Sequence, residues 1–77
     1  MDRTPQTDAA TQELLGLDTD GLNAFKSNPQ AVLDKHGISP TPEEHENLTA
    51  CLARHDSDTL KMTLQQDGLH AMFSQKA

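Results

Sequence analysis

The run Thr41-Pro42-Glu43-Glu44 constrains this chain more than any other. A threonine hydroxyl can accept from the backbone amide three residues on, while a glutamate there reaches back to the threonine amide. Proline at the first helical position loses nothing, because its missing N–H would be unpaired anyway. A helix therefore starts here, with its acids where the macrodipole favours negative charge. It carries Leu48, Cys51 and Leu52 on one stripe until Asp56-Ser57-Asp58 interrupts it. That break caps a further helix with Leu60 and Leu64 four apart, closed by Gln66-Asp67-Gly68.

The same punctuation recurs upstream. Ala9 to Leu15 reads as a short helix interrupted near Gly16, and Asp18 or Thr19 caps the next, which presents Leu22 and Phe25 on one face. Asn28-Pro29 places an N-cap before a proline, Ala31-Val32-Leu33 follows, and Lys35-His36-Gly37 ends the helix. Glycine there suits the left-handed residue past a helix end, with basic side chains in the last turn. Ser39-Pro40 is an extended connector. Strand signals are poor, since the β-branched apolar residues are Val32 and Ile38 and nothing alternates. The expectation is an all-α compact bundle of four or five short helices, each too short to persist alone in water. Residues 1–8 are expected as a disordered polar lead-in, 9–67 as a helical docking domain, and 68–77 as a flexible C-terminal tail.

Seventy-seven residues allow one domain and a small core. With two aromatics, Phe25 and Phe73, that core rests on aliphatic side chains. The single cysteine, Cys51, cannot form an internal disulfide, which fits a reducing cytoplasm. The formal charge is −6, and the basic residues are scattered among twelve acids, so the basic stripe that nucleic-acid binding requires is missing. No apolar run approaches the length of a membrane span, and the opening residues lack the apolar stretch of a secretory signal.

Few residues suggest chemistry. Cys51 and His55 are four apart, and Asp58 completes a nucleophile–base–acid set on paper, but so short a chain has little left to wall a reaction site. The histidines and cysteine show no metal-ligand spacing, so no metal site is assigned. The acids at 43–46 and 56–58 are accounted for by helix starts. The apolar stripe from Phe25 through Leu33 to Ile38 reads as core, with part of it available to a partner. These features describe a domain that docks rather than catalyses.

The segment Gly21 to Ile38, with Phe25, Asn28-Pro29-Gln30-Ala31-Val32-Leu33 and His36-Gly37-Ile38 before an acidic helix start, resembles two related domains. One is the small subunit of protocatechuate 4,5-dioxygenase; the other is the helical binding domain of split borosin precursor peptides. Asp58-Thr59-Leu60-Lys61-Met62 fits the same pattern, and the resemblance spans about residues 14 to 66. The borosin resemblance implies a ribosomally made precursor whose leader docks on a backbone N-methyltransferase. S-adenosylmethionine would belong to that partner, and this chain would need no cofactor of its own. Phe25, Pro29, Val32, Leu33, His36, Gly37 and Ile38 would form the recognition domain, with Leu22 joining the expected partner-binding set. Leu69, His70, Ala71, Met72 and Phe73 would be the segment modified. The precursor is the preferred expectation; the alternatives are a lid or regulatory subunit on an iron-containing large subunit, as the dioxygenase resemblance implies, and a helical protein-interaction module. Two departures stand out: the tail is poor in branched aliphatics, and the chain is short of aromatics to wall a substrate pocket.

Overall fold

Each helix begins where a side chain or a proline relieves its unpaired amides. The computed structural model describes residues 1–74, and within them the chain is all-α. Six helices follow one another: α1 (Pro5–Leu15), α2 (Thr19–Ser27), α3 (Pro29–Lys35), α4 (Pro42–Arg54), α5 (Ser57–Gln66) and α6 (Leu69–Met72). At the start of α4 the Glu44 amide donates to Thr41 Oγ1 (3.2 Å) and the Thr41 amide to Glu44 Oε1 (2.9 Å), the reciprocal box expected there. Asp18 and Asp56 cap α2 and α5 by accepting from the Gly21 and Thr59 amides, each at 2.8 Å. Asn28 precedes α3 as expected, yet its side chain makes no capping bond. Its backbone N–H instead completes α2 by donating to the Ala24 carbonyl.

Two glycines end helices in the left-handed region. At the end of α3, Gly37 (φ 68°) donates to Asp34 O while Ile38 donates to Leu33 O at 2.8 Å. That is the Schellman pattern, and its usual apolar contact falls on Leu33 and Ile38, both in the core. At the end of α5, Gly68 (φ 83°) makes the simpler closure, a single bond from its amide to Leu64 O at 3.1 Å. A side chain at Gly68 would also crowd His70, whose Nδ1 lies 3.1 Å from where a Cβ would sit.

α1 packs on α5 and α6, α2 on α3, α4 and α5, and α4 on α6, in a body of 27 × 25 × 22 Å. Spacing explains the faces. Thr7, Ala10, Thr11 and Leu14 recur at three- and four-residue intervals and are the buried residues of α1. Leu48, Cys51 and Leu52 do the same for α4, and Leu60 and Leu64 for α5. The core is Ala10, Leu14, Leu22, Phe25, Leu33, Ile38, Leu48, Cys51, Leu52, Leu60, Leu64, Leu69, Met72 and Phe73.

The ends of the chain depart from expectation. Residues 1–8 are not a disordered lead-in, because α1 begins at Pro5 and Thr7 is already buried. Thr4 and Thr7 form a capping box in which a second hydroxyl does the work of the usual carboxylate: the Thr4 amide donates to Thr7 Oγ1 (2.9 Å) and the Thr7 amide to Thr4 Oγ1 (3.2 Å). Residues 68–74 are not a flexible tail either, since Leu69 and Met72 are 0% exposed and Phe73 1%. This segment is a sixth helix that plugs the core, beyond the four or five expected. The remainder of the expected tail, residues 75–77, lies outside the described residues.

Phe25 is 2% exposed within the cluster, so its ring serves the core. Phe25→Ala is expected to lower unfolding free energy by about 3–5 kcal/mol in urea titration. Unchanged stability would mean that the ring faces outward.

Candidate partner-binding surface

The residues expected to meet a partner divide into two groups. Leu22, Phe25, Leu33 and Ile38 are buried and hold α2 and α3 against the rest of the fold. Pro29, Val32 and His36 are half-buried, and Val32 packs against the core from its edge. Those three lie along α3 and its C-terminal end. From α3 itself, Gln30 joins Ser39, Pro40, Pro42, His45 and Glu46 around an open groove between α3, the connector and the start of α4, which Pro29, Val32 and His36 do not line. Two prolines stiffen one wall of this groove, and an imidazole and a carboxylate flank it on α4. A second cleft lies between α1 and the α5–α6 turn, with Arg3, Asp8, Gln12 and His70 among its walls.

Of the segment expected to be modified, Leu69, Met72 and Phe73 are core, while His70 and Ala71 are half-buried. Polar contacts as well as packing hold it. The Leu69 amide donates to Thr11 Oγ1 at 3.0 Å, a buried bond across 58 residues of sequence. The Thr11 hydroxyl itself donates to Thr7 O at 2.8 Å. Asn47 on α4 donates through Nδ2 to Phe73 O at 3.0 Å. Sequence reasoning alone does not single out Thr11 or Asn47. Thr11 falls on the apolar face of α1, which is a usable signal, whereas nothing near Asn47 in sequence announces its role.

The residues weighed for nucleophilic chemistry are placed by the fold in differing surroundings. Cys51 is 0% exposed in the core, His55 is the half-buried C-cap of α4, and Asp58 is exposed in the first turn of α5. Among the described residues, no three or more histidines, cysteines or acids lie close enough to hold a metal ion. No helix among them is long and apolar enough to cross a membrane.

Electrostatics tie the outer edges together. Lys35 Nζ bonds Glu13 Oε1, joining the end of α3 to α1, and this bond holds the Glu13 carboxyl below its ordinary range. His36 Nε2, shielded from solvent, lies 3.5 Å from the same oxygen without forming a hydrogen bond. The Thr41 amide, with the Met1 ammonium at 3.1 Å behind it, lowers Glu44. The Thr59 amide lowers Asp56. No family model, curated protein or solved structure matches the chain.

These bonds make two expectations measurable. Thr11→Val keeps the shape of the side chain but strands the Leu69 amide, at a cost of about 1–3 kcal/mol. Thr11→Ser should retain most of the stability, and equal losses in both variants, read by urea unfolding, would assign Thr11 a packing role alone. A pH dependence is expected from the three lowered carboxyls. Their ionised forms are favoured in the folded chain, so the stability they contribute is present above the ordinary carboxylate range. It is lost as pH falls from roughly 4 downward through the lowered folded values. Melting temperatures from pH 7 to pH 2 should show that decline, and Glu13→Gln or Glu44→Gln should flatten it.

Proposed function

We propose that this chain is a helical docking domain that works by binding a larger protein through α3 and the groove beside it. The observation that carries this reading is the separation of roles along residues 29–46. Leu33 and Ile38 fix α3 to the core, Pro29, Val32 and His36 are half-buried on it, and Gln30 lines an open groove with Pro40, Pro42 and His45. A surface held in place before binding loses little conformational entropy when a partner arrives. The acidic balance of the chain favours a partner with a basic face.

The borosin and dioxygenase resemblances nominate the partner. Both give this domain the same task, attachment to an enzyme, and both are compatible with a surface of this kind. They differ in the fate of the C-terminal segment. A precursor peptide must also surrender residues 69–73 to the methyltransferase, which requires Leu69, Met72 and Phe73 to leave the core. A lid subunit or simple interaction module binds with α6 in place. The burial of α6 therefore favours docking without modification of this segment, and the precursor reading stands second.

Calorimetric titration of the chain against purified candidates tests the proposal: an S-adenosylmethionine-dependent backbone N-methyltransferase and the large subunit of an extradiol dioxygenase. Saturable binding to one of them is expected. The double variant Gln30→Ala/His45→Ala should weaken it at least about tenfold, equivalent to 1.4 kcal/mol, without lowering the melting temperature. Binding that ignores the groove variant would overturn the assigned surface, and binding to neither enzyme would remove both nominated partners. Added methyl mass within residues 69–73 after reaction with the methyltransferase would establish the precursor reading instead.

A further inference from the structure

We draw no further inference here: the strongest candidate, the polar cleft between α1 and the α5–α6 turn, has its Arg3 and Asp8 charges already paired with each other at 2.8 Å, and nothing in the structure shows what covers it.

Discussion

The contact on which the rest of the fold depends joins the two ends of the chain. Leu69, Met72 and Phe73 enter the space bounded by α1 and α4, and the Leu69 amide is received by the Thr11 hydroxyl. A domain of this size has a small apolar interior, so three fully buried side chains make up a large part of it. Remove them and α1 and α4 lose the element that packs on both. The polar bond matters for a different reason. It adds modest net stability when made, but a buried amide left without an acceptor is costly, so it fixes where α6 can sit.

Short helices make that arrangement necessary and their caps make it possible. None of the six exceeds the thirteen residues of α4, a length at which an isolated helix in water is marginal. The caps at Thr4, Asp18, Thr41 and Asp56 each pair amides that would otherwise need water. Gly37 and Gly68 turn the chain sharply enough for the next segment to fold back. Ile38 then reaches the core directly after α3, and Leu69 directly after α5. The ion pair of Lys35 with Glu13 adds little stability of its own at so exposed an edge, but it sets the α3 end against α1.

Local features are legible in the amino acids alone. The box at Thr41, the proline at the start of α3 and the glycine ends of α3 and α5 depend on neighbours within a few residues, and all are visible. The apolar stripes of α2, α4 and α5 are visible for the same reason. The start of α1 is hidden because its box uses Thr7 where a glutamate or glutamine is the familiar sign. α6 is hidden although Leu69, Met72 and Phe73 keep the spacing of Leu48, Cys51 and Leu52, because it is four residues long, follows a glycine with no capping side chain, and is anchored by Thr11 and Asn47, far away in sequence. That gap bears on function. A segment that looks free to be threaded into an enzyme is the one that closes the fold. The expected recognition residues divide as well, with Leu22, Phe25, Leu33 and Ile38 turning inward and Pro29, Val32 and His36 remaining partly accessible.

Whether the C-terminal helix is a structural part of the domain in solution therefore decides how the protein can work. Native-state hydrogen exchange at the Leu69 amide measures this most directly, since that proton is both buried and bonded. Exchange limited by global unfolding, as slow as that of the Leu48 and Leu52 amides in α4, is the result this structure requires. Exchange of Leu69 at the rate of a frayed end, with α4 still protected, would contradict it and return residues 69–73 to the role of a detachable tail.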